Sequence, residues 1–142
     1  MEATPFENLQ VGAELPAITF APVTRQTLAL YAGASGDHNP MHIDSDFAKQ
    51  AGMDDVFAHG MLGMAYLGRA LTSWVPQSAI HQFSTRFVAI AHLRDQLTCR
   101  GTAVEEIEQA GEQYVRLQLS AANQNGEIKL QGEALVLRSY LM

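Results

Sequence analysis

The sequence is poor in cysteine and in basic residues, and each shortage excludes a class of protein. Cys99 is the only cysteine among 142 residues, so it has neither an internal disulfide partner nor a CxxC companion. A reducing compartment suits such a chain, and we predict a cytoplasmic protein. Nine scattered lysines and arginines stand against fifteen acidic residues, for a formal net charge of −6. Nucleic-acid recognition usually needs a concentrated basic face, so no nucleic-acid partner is predicted.

Long hydrophobic runs are also missing. The opening residues, MEATPFENLQVGAELP, carry early acidic residues and no apolar stretch, which predicts neither a signal peptide nor an anchor. The longest mostly apolar stretch, about residues 56–71, is interrupted by His59, three glycines and Arg69. It is too short and too broken to span a bilayer. No membrane partner is predicted.

The composition instead suits one folded domain. The chain is 47% hydrophobic and 17% charged, which is enough apolar material for a core. A chain of this length buries roughly 70% of its unfolded surface. No internal repeat, low-complexity tract or linker-like stretch divides it, so we predict a single domain over residues 1–142.

The first half predicts an irregular strand followed by short helices. Apolar pieces punctuated by glycine and proline, between Phe6 and Pro22, indicate a first strand of low regularity. Thr24 is suited to cap a helix that runs to about Gly33. One further helical turn is predicted near residues 45–51, within an otherwise irregular loop.

The second half predicts one buried helix and a set of strands. Residues 60–74 are apolar on all sides, which indicates a helix buried on most sides. Gly63 and Gly68 lower its helix propensity, and close approach to a sheet or ligand explains them. After Pro76, alternating apolar residues predict four antiparallel strands, and Asn125-Gly126 predicts a hairpin. We therefore expect an α+β fold in which an antiparallel sheet wraps around a long central helix.

Asp37, Asn39 and His42 are the first candidates for catalysis. On a helix, a separation of five residues would splay Asp37 and His42 by about 140°. Pro40 between them breaks the helix, so the loop can turn both side chains toward one cavity. A histidine beside a carboxylate provides a general acid or base near neutral pH. The structural alternative is that Asp37 caps a turn and His42 is a satisfied buried histidine.

A second candidate feature is the start of the central helix, at Ala58-His59-Gly60. The free N–H groups and the dipole of a helix start suit a developing oxyanion. His59 itself is interpreted as a helix-start or pocket residue. Cys99 has no activating base nearby in sequence, so it is not predicted to be a nucleophile.

The stretch YAGASGDHNPMHID, followed after a spacer by FAHGMLGMAYLG, closely resembles the signature of the MaoC-like hydratases and dehydratases. The family pattern is approximately S/T-G-D-x-N-P-x-H and then H/Q-G-M near the central helix, and both halves match in order. The flanking VGAELP, the closing strands and the length fit as well, so the resemblance covers nearly the whole chain. It implies a single hotdog fold and reversible hydration of trans-2-enoyl thioesters to (3R)-3-hydroxyacyl thioesters.

The resemblance also implies roles for individual residues. Asp37 and His42 would activate the water that adds to C3 and would shuttle the proton at C2, while Asn39 would hold their geometry. The N–H of Gly60 would form the oxyanion hole. His59, Met61 and Ala65 are expected to contact substrate, although the alignment places either Ala65 or Gly63 where some relatives carry a serine beside the acyl chain.

The resemblance implies an acyl-CoA or acyl-carrier-protein thioester as substrate, no cofactor, and a homodimer, with a heterodimer as the alternative. A hotdog thioesterase and an acyl-binding subunit of a heteromeric dehydratase are the rival functions. His38, His42 and the neighbouring Asp37 and Asp44 could suggest a metal site. Pro40 excludes helical HExxH geometry, however, and no metal is predicted.

Overall fold

The computed structural model describes residues 10–138, so both ends of the predicted domain and the first residues of the predicted irregular strand, 6–9, lie outside it. Four long strands and one long helix form the framework of the fold. Two short 3₁₀ turns, Pro40–His42 and Gln77–Ala79, connect longer elements. The elements, in chain order, are β1 (Ile18–Thr19), α1 (Arg25–Ser35), α2 (Ser45–Gln50), α3 (Gly60–Trp74), β2 (Ile80–Phe87), β3 (Thr98–Gln109), β4 (Glu112–Ala122) and β5 (Ile128–Leu137).

The strands form one antiparallel sheet in the order β1-β3-β4-β5-β2. The predicted hairpin joins β4 to β5, with Gly126 at a φ of +79° that favours glycine. The predicted irregular strand is reduced to the two residues of β1 at one edge. Prolines on either side of β1, Pro16 and Pro22, lack the N–H that a longer ladder would need.

Helix α3 packs on this sheet through a buried face, whereas Met61, Ala65, Arg69 and Ser73 form an exposed stripe, so the predicted burial on most sides holds only in part. A Cβ atom on Gly63 would lie 2.8 Å from Leu130 of β5, so this glycine permits the close approach of helix and sheet. A Cβ atom on Gly68 would make only an ordinary contact, at 3.5 Å from Phe83. The prediction of close approach is therefore confirmed for Gly63 alone.

Buried apolar residues separate into two clusters. We call the larger one the main core, and it fills the space between α3 and the sheet. It comprises Leu15, Leu67, Ala70, Leu71, Trp74, Val75, Ala79, Leu97, Cys99, Ala103, Val115, Leu117, Leu119, Ala121, Leu130, Ala134 and Val136.

The smaller cluster, the minor core, lies where α1, α2 and the start of α3 meet. It comprises Val23, Leu28, Ala48, Val56, Ala58, Leu62 and Ala91. None of the helices in the described part of the chain has the length and apolar character needed to cross a membrane.

Candidate active site

The loop after α1 folds back on itself through local hydrogen bonds. Helix α1 ends at Gly36, whose φ of +78° is the left-handed conformation typical of a helix end. The Asp37 carboxylate then accepts the backbone N–H of Asn39 at 3.2 Å, and the Asn39 side chain accepts the N–H of Met41 at 3.0 Å. Asn39 thus caps the 3₁₀ turn that carries His42. These bonds bring Asp37 and His42 to one side of the loop.

One side-chain hydrogen bond of His42 shows which ring nitrogen carries the hydrogen. Its ring is 9% exposed, and its Nδ1 lies 2.7 Å from the backbone carbonyl oxygen of Phe57. A carbonyl can only accept, so Nδ1 carries the hydrogen and donates it. In the neutral ring the lone pair is therefore on Nε2, which is the atom available as a base.

His59 lies directly against His42. It is the N-cap residue of α3 and 2% exposed, and the two imidazole rings stack with centroids 4.0 Å apart. The Nε2 of His59 donates to the backbone carbonyl of Asp37 at 3.2 Å, so His59 joins the helix start to the loop. Burial, and then the neighbouring His42, lower the pKa of His59, which favours its neutral form.

Three ligand-type atoms, one each from Asp37, His42 and His59, lie within 4.8 Å of one another. A divalent cation would need both imidazole lone pairs to converge on one point. The two rings are stacked and tilted by only 27°, so their lone pairs lie in nearly parallel planes that do not favour a common point. One nitrogen of each ring also already contacts a backbone carbonyl. The arrangement therefore suits proton transfer better than metal binding.

A cavity of about 290 Å³ opens in front of these histidines. Larger surface cavities exist elsewhere, but neither His42 nor His59 lines them. Asp37 is exposed beside the two histidines and does not itself line the cavity. Apart from His42 and His59, every side chain that lines it is apolar, which suits an acyl chain. Its lining residues are His42, Phe57, Ala58, His59, Gly60, Gly63, Phe87, Val88, Ala89, Ile90, Ala91 and Leu130.

Gly60 places a backbone N–H at the cavity. As the first residue of α3 it has no carbonyl partner for this N–H within the helix. The positive end of the helix dipole lies at the same point and favours negative charge. A Cβ atom on Gly60 would lie 3.3 Å from the ring of Phe87, so a larger residue here would press on the cavity wall.

The structure places the other predicted substrate contacts differently. Met61 is 54% exposed, and Ala65, four residues further along the helix, is also exposed on the same face. Neither lines the cavity of the described chain, whereas Gly63, the alternative to Ala65, does. Substrate binding by Met61 and Ala65 therefore stays a prediction.

The residues that form the opposite wall of the cavity are not among those predicted from the sequence. This wall comes from Phe87 and the segment after β2, together with Leu130 of β5. The alternation of Phe83, Thr85 and Phe87 predicts a strand, but it carries no signal for which loop its end will face. Cys99 lies in the main core, where burial raises the pKa of its thiol to about 12, so it is unsuited to nucleophilic chemistry.

Comparison with known proteins identifies the family. Residues 7–125 match the MaoC like domain, and the chain belongs to this family. It is 27% identical over 134 residues to an (R)-specific enoyl-CoA hydratase of Rhodospirillum rubrum, covering 93% of this chain and 90% of that protein. It is 25% identical over 113 residues to a mitochondrial 3-hydroxyacyl-[acyl-carrier-protein] dehydratase of Arabidopsis thaliana, covering 79% and 68%.

Among solved structures, the R-hydratase PhaJ1 of Pseudomonas aeruginosa in its unliganded form superposes with a TM-score of 0.81 at 28% identity, covering 94% of this chain and 84% of that one. The chain also matches much larger fatty acid synthase chains, of which it spans only 3–5%. The predicted α+β hotdog fold and membership of a hydro-lyase family are thereby confirmed.

Proposed function

We propose that this protein reversibly adds water to trans-2-enoyl thioesters of coenzyme A or acyl carrier protein, giving (3R)-3-hydroxyacyl thioesters. The observation that carries the proposal is that His42 and the Gly60 end of α3 line one apolar cavity, with a carboxylate oxygen of Asp37 within 4.8 Å of the imidazole nitrogens of His42 and His59. The hydratase and dehydratase relatives support the same class of reaction.

The chemistry follows from the positions of these groups. Water donates a proton to the base formed by His42 Nε2 and Asp37, and its oxygen bonds to C3 as the C2–C3 double bond opens. The electron pair moves to C2 and the thioester carbonyl, whose oxygen is stabilised by the N–H of Gly60. C2 then takes up one proton from the same acid–base pair, so the net change is the addition of one water. The reverse sequence dehydrates the hydroxyacyl thioester.

The roles of the remaining residues fit this scheme. Asn39 fixes the turn between Asp37 and His42, and His59 ties the loop to the oxyanion end of α3 through the carbonyl of Asp37. A neutral His59 is a suitable neighbour, because a second imidazolium beside His42 would oppose its protonation during turnover. The cytoplasmic location stays a prediction.

We also propose that the protein works as a homodimer that pairs through β2. This strand is an edge of the sheet, so one side of its backbone has no strand partner among the described residues. Apolar side chains are exposed at its end and just after it: Phe87 is 55% exposed, Val88 49% and Ile90 42%. Covering this surface with a second copy would enclose the mouth of the cavity. Gel filtration with mass measurement tests this directly, and a monomer that is fully active would contradict it.

The activity test uses the purified protein and a short trans-2-enoyl-CoA. Loss of the conjugated enoyl absorbance measures hydration, and chiral analysis of the product measures its C3 configuration. We expect the wild type to form the (3R) product, and Asp37→Ala and His42→Ala to lose several orders of magnitude in rate. Asp46→Ala is the matched control, because Asp46 is an exposed carboxylate on α2 that does not line the cavity.

The same assay separates the rival functions. Thioester hydrolysis also removes the conjugated absorbance, so the products decide: free thiol and an enoic acid, without any 3-hydroxyacyl thioester, would replace the hydratase with a thioesterase. Absence of both signals across a series of chain lengths would contradict catalysis by the isolated chain and point to an acyl-binding subunit.

A further inference from the structure

Three buried polar side chains lie behind the cavity wall, separate from the two histidines. Asp95, Asn123 and Lys129 are 8%, 6% and 4% exposed. Together with His42 and His59, they are the buried polar residues of residues 10–138. We call Asp95, Asn123 and Lys129 the anchor cluster. Buried charges are rare because their desolvation is costly, so the position of this cluster needs a structural reason.

The carboxylate of Asp95 is the centre of the anchor cluster. Its Oδ2 lies 3.6 Å from the Nζ of Lys129, and its Oδ1 accepts the side-chain amide of Asn123 at 3.2 Å. The same Oδ2 accepts the backbone N–H of His92 at 2.8 Å. This last bond leaves the cluster and reaches the segment that forms the cavity wall.

That segment, residues 88–92, is held at both of its ends by members of the anchor cluster. At one end, the N–H groups of Val88 and Ala89 donate to the carbonyl of Lys129 at 2.9 and 3.2 Å. At the other end, His92 donates to Asp95. The ion pair between the side chains of Lys129 and Asp95 links these two attachments.

Backbone contacts join this wall segment to Phe57, the residue whose carbonyl orients His42. The N–H of Ala58 donates to the carbonyl of Ala91 at 2.8 Å, and Phe57 pairs with His92 in an antiparallel bridge. The carbonyl of Phe57 is the acceptor for His42 Nδ1. A continuous set of contacts therefore leads from Asp95 through His92 and Phe57 to the catalytic imidazole.

We propose that the anchor cluster is a positioning element that sets the tautomer of His42. The Asp95 carboxylate fixes the backbone of His92, and the bridge between His92 and Phe57 fixes the Phe57 carbonyl. This carbonyl keeps the hydrogen of His42 on Nδ1, which leaves Nε2 free as the base. The effect on turnover rests on the proposed function, but the tautomer is a property of the free protein. The two can therefore be tested separately.

The test is Asp95→Asn, studied in protein labelled with ¹⁵N-histidine. The substituted side chain keeps its size but offers one acceptor oxygen instead of two, so His92 and Asn123 must compete for it. We expect the fraction of His42 with hydrogen on Nδ1 to fall in the nitrogen NMR spectrum. We also expect kcat to fall on the order of 10–100-fold with little change in KM, because the base is misplaced while the cavity remains.

Asp95→Asn also leaves the charge of Lys129 buried without its partner, and this variant can fail to fold. The double variant Asp95→Asn/Lys129→Met removes both charges while keeping the weakened contact to His92. Replacing a buried pair by uncharged side chains is often tolerated, so the double variant is expected to fold and to show the same shift of the His42 tautomer.

Val136→Ala is the control for a general loss of stability, since Val136 is fully buried in the main core and does not line the cavity. We expect it to lower the melting temperature and to leave the His42 nitrogen shifts and kcat unchanged. The proposal is overturned if the Asp95 variants behave in the same way as Val136→Ala. If the tautomer moves but the wild type has no hydratase activity, the positioning role stands and the proposed function fails.

Discussion

The main core is a continuous apolar interface between α3 and three long strands, whereas the minor core is a smaller set of residues from short helices and loops. Helix α3 contributes to both, with Leu62 in the minor core and Leu67 and Leu71 in the main core. The two buried histidines lie at the minor-core end, where backbone carbonyls of loops are available as partners. Helix α3 therefore joins an apolar region that stabilises the fold to the region that holds the candidate site.

The largest expected effect falls on the chemistry and spares the fold. His42→Gln retains a donor for the Phe57 carbonyl but removes the titratable imidazole, so we expect the hydration rate to fall by roughly 10²–10⁴-fold. The melting temperature should change little. Steady-state kinetics and thermal unfolding measure the two effects. A variant that kept more than a tenth of the activity would show that His42 is not the base.

A substitution in the main core should show the opposite pattern. Leu67 is fully buried, and Leu67→Ala is expected to lower the free energy of unfolding by about 2–5 kcal/mol, because it removes apolar contacts and leaves a cavity. The protein that remains folded should keep its kcat. Urea unfolding measures the loss, and Leu30→Ala, at a site 66% exposed, is the control expected to change neither quantity.

A substitution in the minor core should affect both properties, since this cluster supports the site directly. Val56 is 3% exposed and precedes the Phe57 carbonyl that orients His42. For Val56→Ala we expect a loss of roughly 1–2 kcal/mol of stability from the buried area removed, together with a several-fold lower kcat. If kcat were unchanged, the minor core would contribute to stability without supporting the site, and the two properties would be independent despite the shared helix.

The smallest expected effect concerns the exposed ion pair between Arg25 of α1 and Asp55 in the loop before α3. The Arg25 guanidinium, with help from Ser45, holds the pKa of the Asp55 carboxyl well below its usual range. A lowered folded-state pKa contributes stability above the unfolded value of about 4, and this contribution is lost as the pH falls below it.

Arg25→Met should therefore lower the melting temperature slightly at pH 7, and the difference from wild type should narrow toward pH 3. High salt should reduce it as well, because the pair is exposed. Thermal unfolding across this pH range measures the difference. A melting-temperature difference between variant and wild type that widened toward acid pH would contradict the role given to this ion pair.

Local patterns in the sequence predicted most of the fold. The boundaries of α3, residues 60–74, follow from its apolar composition between a glycine start and Pro76. The predicted turn near residues 45–51 is α2, and the predicted hairpin at Asn125-Gly126 joins β4 to β5. The short β1 was the exception, because its pairing depends on β3, some 80 residues later in the chain.

The candidate site also has a part that local sequence predicts and a part that depends on contacts between distant segments. Asp37, Asn39 and His42 lie within six residues and on one loop, so their proximity is a local property that spacing and Pro40 could indicate. The stack of His59 on His42, the cavity wall at residues 87–91 and the exposure of Met61 depend on contacts between distant segments. Only the packing of α3 on the sheet decides which side of each segment faces the cavity, since burial is a property of the whole fold and not of any one stretch of sequence.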